Sequence, residues 1–129
     1  MPDTKKALMT MADSELSQEL AILLDGLGYL VTEILDVSHV LENLTDNRYD
    51  LLVMGGTLPD ISWQDTVNEL RKTSNASRVM MMTRAAGEAD LRSALNAGGY
   101  AVLERPISPT KLSDIIALPR YGMFVVVRD

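Results

Sequence analysis

The chain contains no cysteine, and among its 129 residues there is one histidine, one tryptophan and one phenylalanine. The absence of cysteine excludes disulfide bonds, thiol catalysis and cysteine-ligated metals, and it is consistent with a reducing compartment. A single histidine without cysteines does not support a zinc site. No apolar stretch approaches the roughly 20 residues of a membrane-spanning helix, and the N-terminus lacks the apolar core of a signal peptide. We therefore expect a cytoplasmic protein that does not contact membranes.

Basic residues are outnumbered by acidic ones. The chain has 12 Lys and Arg and 18 Asp and Glu, which gives a formal net charge of −6. Nucleic-acid binding depends on basic side chains that neutralise phosphates, so we expect no direct contact with nucleic acid. The length fits one domain with a sizeable core. The hydrophobic share of 47% and the charged share of 23% are those of an ordinary globular protein.

Short apolar runs alternate with segments of helical spacing along most of the chain. In the clearest helical segment, Leu16, Leu20, Leu23, Leu24 and Leu27 recur at three- and four-residue steps, which predicts one apolar helical stripe. Buried strands joined by helical crossovers predict a doubly wound α/β fold with a parallel sheet and helices on both faces. In such folds, function gathers beyond the carboxyl ends of the strands. The predicted strands are segments 6–11, 29–35, 50–55, 78–83 and 100–104.

The C-terminal tail departs from this alternation. Pro119 ends the last predicted helix, and residues 120–129, "RYGMFVVVRD", are typical of an additional strand. We therefore predict a domain over residues 1–118 and a strand-like extension or the start of a linker over 119–129. The extra strand could join the edge of the sheet, pair with another molecule or lead into a further domain.

Four segments together resemble a known family. They are "LLDGLGYLVTEI" at 23–34, "YDLLVMGGTLP" at 49–59, "VMMMT" at 79–83 and "NAGGYAVLERPIS" at 96–108. In this order and spacing, the chain resembles the receiver domain of two-component response regulators over roughly residues 5–118. The resemblance implies a flavodoxin-like, five-stranded parallel sheet. It also implies a site where an aspartate after the third strand takes a phosphoryl group beside a magnesium ion.

The positions that carry this chemistry in the family hold other residues here. The phosphoacceptor position falls on Gly55, next to Gly56, and the acid pair that helps to hold magnesium falls on Met11 and Ala12. One carboxylate is a poor magnesium site by itself, so the departures predict no aspartyl phosphate, no bound metal and no cofactor. We call the set of eight residues that the resemblance assigns to this site the degenerate pocket: Met11, Ala12, Asp13, Gly55, Gly56, Thr83, Arg84 and Arg105.

Three charged residues of the degenerate pocket allow more than one interpretation. Asp13 could be a surviving metal ligand, but we favour a role as the N-cap of the first helix, for which Ser14 competes. Arg105 replaces the family's lysine with a planar guanidinium, and we favour an ion pair with Asp13 or Glu104 over binding of a phosphorylated partner or anion. Arg84 either reaches over the site and blocks it or points into solvent.

Other residues near this edge bear on partner binding and switching. Trp63 either anchors a partner, since interfaces favour tryptophan, or folds back over the site. Val102 is a second possible partner contact, and it replaces the aromatic residue whose rotation is coupled in the family to the hydroxyl kept here as Thr83. His39 lies in "SHVLENL", which resembles a sensor-kinase phosphorylation helix over two residues only, so a surface histidine is favoured.

We interpret the chain as a receiver-like domain that is not an enzyme and that acts through a protein partner, other domains of a longer protein or a homodimer. By analogy with the family, the contact surface comprises the helix at 87–99, the strand at 100–104 and the helix at 111–118. The alternative hypothesis is a small-molecule or anion sensor that uses the pocket around Asp13, Thr83, Arg84 and Arg105. A third hypothesis keeps phosphotransfer through another acceptor such as Asp60, whose position beyond the strand end argues against it.

Overall fold

The computed structural model describes residues 4–11, 13–34, 48–56, 72, 78–85, 87–96, 101–118 and 122–128. Within these ranges the chain forms six strands and three helices. The strands are β1 (Lys5–Thr10), β2 (Tyr29–Glu33), β3 (Leu51–Gly56), β4 (Val79–Ala85), β5 (Ala101–Glu104) and β6 (Met123–Arg128). The helices are α1 (Ser14–Gly26), α2 (Glu88–Asn96) and α3 (Pro109–Ile116).

All the strands run parallel in a single sheet with the order β2-β1-β3-β4-β6-β5. The doubly wound parallel fold predicted from the sequence is therefore confirmed, together with the additional C-terminal strand. The flavodoxin-like order places the fifth strand beside the fourth, whereas here β6 lies between them. The tail strand thus takes an interior position in the sheet rather than a place at its edge.

Two helical layers cover the sheet on opposite faces. Helices α1 and α3 share one core cluster, to which α1 contributes Leu16, Leu20 and Leu24. Helix α2 packs on the other face through Ala94 and the partly buried Leu91. Because successive strand residues point to opposite faces, β6 serves both layers. Its buried side chains divide accordingly, with Met123, Val125 and Val127 in the first cluster and Phe124 and Val126 in the second.

Local signals at the helix ends agree with the sequence. Asp13 is the N-cap of α1 and accepts a hydrogen bond from the Leu16 N–H at 3.1 Å, and Ser108 caps α3 in the same way through the Lys111 N–H. Gly28, just beyond α1, has a φ of 95°, a conformation that residues with a Cβ rarely adopt. The hydrogen bond to Leu16 confirms the N-cap role predicted for Asp13, and Gly28 forms the turn into β2.

Parts of the sequence interpretation lie outside the described residues. Segments 37–44 and 62–73, whose apolar spacing predicts two further helices, fall there apart from Lys72. Ala12, His39, Asp60 and Trp63 lie there too. Among the residues that are described, no helix is both long and apolar enough to cross a bilayer.

Candidate functional site at the carboxyl edge of the sheet

The side chain of Met11 lies beside Gly55, at the edge where β1 and β3 end. A Cβ built on Gly55 would be 2.6 Å from Cγ, 2.9 Å from Cε and 3.1 Å from Sδ of Met11. Real Cβ atoms essentially never approach a neighbour below 3.0 Å, so the thioether occupies the space into which any longer side chain at 55 would extend. Met11 is itself only 8% exposed and belongs to the main core cluster. The position that resembles a phosphoacceptor is therefore filled by apolar packing.

Thr83 and Val102 are separated by an intervening strand. Thr83, near the end of β4, is buried and is aligned in the sheet with Gly56 on one side and Val126 on the other. Val102 of β5 is aligned with Val126 and not with Thr83. Neighbouring strands lie about 4.8 Å apart, so the insertion of β6 places Thr83 and Val102 roughly twice that distance from each other. A direct contact of the kind that would couple a hydroxyl to position 102 is thereby removed.

Arg84 reaches over the beginning of α1. Its Nε lies 3.3 Å from Oδ2 of Asp13, and its Nη1 lies 3.6 Å from Oε2 of Glu15. The Arg84 side chain is 25% exposed, so the guanidinium is held against the protein by these two carboxylates. Arg84 thus lies against the start of α1 and does not point into solvent.

Arg105 also points toward α1, from the loop that follows β5. Its Nε donates to Oε2 of Glu19 at 2.9 Å, and its Nη2 donates to Oε1 of Glu15 at 3.1 Å. An ion pair was predicted for Arg105, but these two partners were not. Glu15 contacts both arginines, so one network links α1 to the loop after β5 and to the end of β4. We call Asp13, Glu15, Glu19, Arg84 and Arg105 the arginine–carboxylate network.

The two glutamates are the functional residues that the sequence interpretation missed. Glu15 and Glu19 are four residues apart and therefore neighbours on one side of α1. They flank the core positions Leu16 and Leu20, so this side lies beside the sheet rather than away from it. The four-residue spacing of two glutamates, next to the carboxyl ends of the strands, was the sequence feature that could have indicated their role in this site. Nothing local identified which arginines they would meet.

We expect the arginine–carboxylate network to stabilise the domain in a salt-dependent manner. Replacing Arg105 with leucine should lower the free energy of unfolding by about 1 kcal/mol, because the ion pairs are only partly buried. The loss should shrink in 1 M NaCl, where the Debye length is about 3 Å. Urea denaturation at low and high salt measures both effects.

An exposed ion pair between the end of β6 and the start of α2 provides the matched control for this experiment. Arg128 contacts Glu88 at 3.0 Å, with side chains 44% and 72% exposed. Arg128→Leu should therefore cost less than about 0.5 kcal/mol. Equal losses for the two variants, or a loss for Arg105→Leu that salt leaves unchanged, would contradict a stabilising network at the carboxyl edge.

Comparisons with known proteins agree with this architecture. The sequence model of the family described as response regulator receiver domain matches residues 11–117. A search of curated proteins finds no significant match.

Several solved structures share the fold at low sequence identity. The receiver domain of a sensor histidine kinase from Pseudomonas aeruginosa, with magnesium coordinated in its active-site cleft, is 24% identical, with 88% of this chain and 95% of that one covered and a TM-score of 0.58. A CheY-like receiver protein from Methanospirillum hungatei is 22% identical, with coverage of 88% and 91% and a TM-score of 0.60. A response regulator from Burkholderia multivorans is 23% identical, with coverage of 89% and 94% and a TM-score of 0.56.

Proposed function

The chain belongs to the response regulator receiver domain family, and from that membership we propose that it is a signalling domain that works without being phosphorylated. It acts by binding a protein partner, a second copy of itself or other domains of a longer cytoplasmic protein, in two-component-type signalling or transcriptional control. It is not an enzyme and needs no cofactor for this role. The observation that carries the proposal is the Met11 side chain packed against Gly55.

Magnesium, which the family implies, does not fit the residues present. Magnesium prefers oxygen ligands in near-octahedral geometry, whereas position 55 offers no side-chain oxygen and position 11 offers a thioether. Asp13 retains a carboxylate, but its oxygens already accept the Leu16 N–H and face the Arg84 guanidinium. Among the described residues, no group of three potential ligands could hold a metal ion.

The charges of the arginine–carboxylate network also support this proposal. In an active receiver, a divalent cation and a lysine meet a phosphoryl group and acidic side chains. Here the positive charge beside Asp13 and Glu15 belongs to Arg84 and Arg105, which are covalently part of the chain. Because these charges do not depend on a bound ion or phosphate, the carboxyl edge has a single electrostatic state. The domain would then present its contact surface constitutively.

Two exposed apolar side chains lie on two elements of the predicted contact surface, α2 and β5. Leu95 of α2 is 42% exposed, and Val102 of β5 is 38% exposed. Val102 is aligned with Val126, whose side chain lies in the cluster under α2, so Val102 is next to that helix on the same face of the sheet. Trp63, the other predicted partner contact, lies outside the described residues.

We expect no covalent phosphorylation of the purified protein by acetyl phosphate and magnesium. Intact mass spectrometry should show no added phosphoryl group, because position 55 supplies no nucleophile, and magnesium should leave the melting temperature unchanged. A bound ligand present at 100 times its Kd would instead add about 2.7 kcal/mol of stability, which a thermal melt detects. An authentic receiver domain treated in parallel serves as the positive control.

The contrary outcome is equally specific. A mass gain that peptide mapping locates on an aspartate, Asp60 included, would replace this proposal with phosphotransfer through another acceptor. Gly55→Asp extends the test, since we expect this variant to stay unphosphorylated while Met11 and the network remain. Phosphorylation of Gly55→Asp would show that the acceptor is the only part missing.

The alternative, an anion sensor in the degenerate pocket, has one observation in its favour. The Nε and Nη2 atoms of Arg84 are buried and form no hydrogen bond within the described structure. However, the two guanidinium groups of the network face three carboxylates, so the local charge repels an anion. Titration with inorganic phosphate separates the two functions. Stabilisation that is lost in Arg105→Ala would favour the sensor, and no stabilisation favours the interaction domain.

A further inference from the structure

A cavity of about 330 Å³ lies at the amino ends of the strands, the edge of the sheet opposite to the degenerate pocket. Lys5 begins β1 and Tyr29 begins β2, while Asp50 and Arg78 directly precede β3 and β4. Leu27, after α1, and Ile116, in α3, complete the wall with apolar surface. The volume is at the lower end of the range for small-molecule sites.

Three charged side chains, Lys5, Asp50 and Arg78, line this cavity. Asp50 Oδ2 accepts the Lys6 backbone N–H at 2.8 Å, and the Arg78 guanidinium donates to the Leu118 carbonyl. The Lys5 ammonium lies 5.6 Å from the centre of the Tyr29 ring. None of the ion pairs described for the chain involves Lys5, Asp50 or Arg78. A carboxylate can accept about four hydrogen bonds and a guanidinium donates five, so both retain bonding capacity.

The Tyr29 hydroxyl adds a neutral donor among these charges. Tyr29 is 9% exposed, and burial, reinforced by the Asp50 carboxylate, raises the pKa of its hydroxyl, against an opposing effect of Arg78. The phenol therefore stays protonated at neutral pH. Tyr29, Asp50 and Arg78 all line the cavity.

We propose that this cavity binds a small zwitterion of the amino-acid type, with one carboxylate, one ammonium group and an apolar substituent. Arg78 and Lys5 supply the positive charge that a carboxylate requires, and a guanidinium can hold a carboxylate through two parallel hydrogen bonds. Asp50 supplies the negative charge for the ammonium group. Leu27 and Ile116 contact the apolar substituent, which selects aliphatic or aromatic members of the class.

A ligand in this position would contact the sheet and the helical layer that contains α1 and α3. It would bridge the amino ends of the strands to α3 and to the residues just after it, where the Leu118 carbonyl already accepts from Arg78. Binding would consequently stabilise the docking of α3 on the sheet. This site is separate from the degenerate pocket, so it does not depend on whether the domain is phosphorylated.

The test is a thermal-shift screen of the full chain against the standard amino acids at millimolar concentration, followed by calorimetric titration of the strongest binder. We expect one or more apolar amino acids to raise the melting temperature. The amine that lacks the carboxylate and the acid that lacks the ammonium group should each bind at least about tenfold more weakly, because each loses one charge-assisted contact. Arg78→Gln and Asp50→Asn should both abolish the shift, and Arg128→Gln, at the opposite edge, should preserve it.

The analogue series on the unmodified protein decides the matter even if a variant fails to fold. Equal binding of the acid without an ammonium group would overturn the zwitterion site in favour of a simple anion site. Absence of any shift across the amino acids would overturn the proposal outright. Neither result depends on phosphorylation, so failure here is distinguishable from failure of the proposed function.

Discussion

Substitution of Val126 by aspartate is expected to lower the free energy of unfolding by about 3–5 kcal/mol, the cost of an uncompensated buried charge. Val126 is 0% exposed and lies in β6 between Thr83 of β4 and Val102 of β5. Its side chain packs in the cluster under α2, so a carboxylate there would have neither water nor a cation. Because domains are stable by only about 5–15 kcal/mol, a large fraction of the variant should be unfolded, as urea denaturation followed by circular dichroism would measure.

Val102→Asp is the matched control for this experiment. Val102 is aligned with Val126 and points to the same face of the sheet, but it is 38% exposed. A carboxylate at this edge position can remain hydrated, so the loss should stay below about 1 kcal/mol. Similar losses at the two positions would indicate that β6 does not occupy the interior of the sheet. A Val126→Asp variant of unchanged stability would contradict the six-stranded order directly.

Gly55→Asp is expected to destabilise the domain by about 1–3 kcal/mol, the usual cost of forcing additional atoms into packed space. The new Cβ would approach Met11 Cγ to 2.6 Å, so the thioether would have to leave its place in the core. Met11→Ala should itself be destabilising, because it leaves a cavity. In the double variant, however, the cost of Gly55→Asp should disappear, which gives a coupling energy of about 1–3 kcal/mol in a double-mutant cycle.

Gly87→Asp introduces the same side chain where space is available. Nothing lies within 4 Å of a Cβ built on Gly87, which directly precedes α2. Aspartate is well tolerated at helix starts, so this variant should be as stable as the original or slightly more stable. If the costs at positions 55 and 11 simply add, the proposed packing of Met11 against Gly55 is wrong.

Much of the fold was predictable because it depends on local pattern. The strand at 50–55 differs from β3 by one residue at each end, and the strand at 78–83 differs from β4 by one and two residues. Continuous apolar runs are typical of strands buried on both faces, which is why these elements were unambiguous. The cap at Asp13 was predictable for the same reason, since a capping side chain bonds to its own helix.

The site could be predicted only in part. The missing oxygen at position 55 follows directly from the sequence, because glycine has no side chain. That Met11 fills the resulting space, and that Arg84 and Arg105 meet Glu15 and Glu19, depends on rotamers and on contacts between residues far apart in the chain. A pattern of spacing contains no information on which of several arginines reaches which carboxylate.

The sequence by itself determined the parallel α/β class, the positions of the strands, and the absence of a side chain at position 55. The tertiary structure alone decided the strand order, in which the tail strand Met123–Arg128 separates β4 from β5. Five consecutive apolar residues in that strand, all buried in the structure, indicate that both of its faces must be covered. They do not indicate which strands lie beside it. Which strands become neighbours depends on contacts between residues far apart in the chain, because every apolar face of the sheet has to be covered. Only the folded structure shows that arrangement.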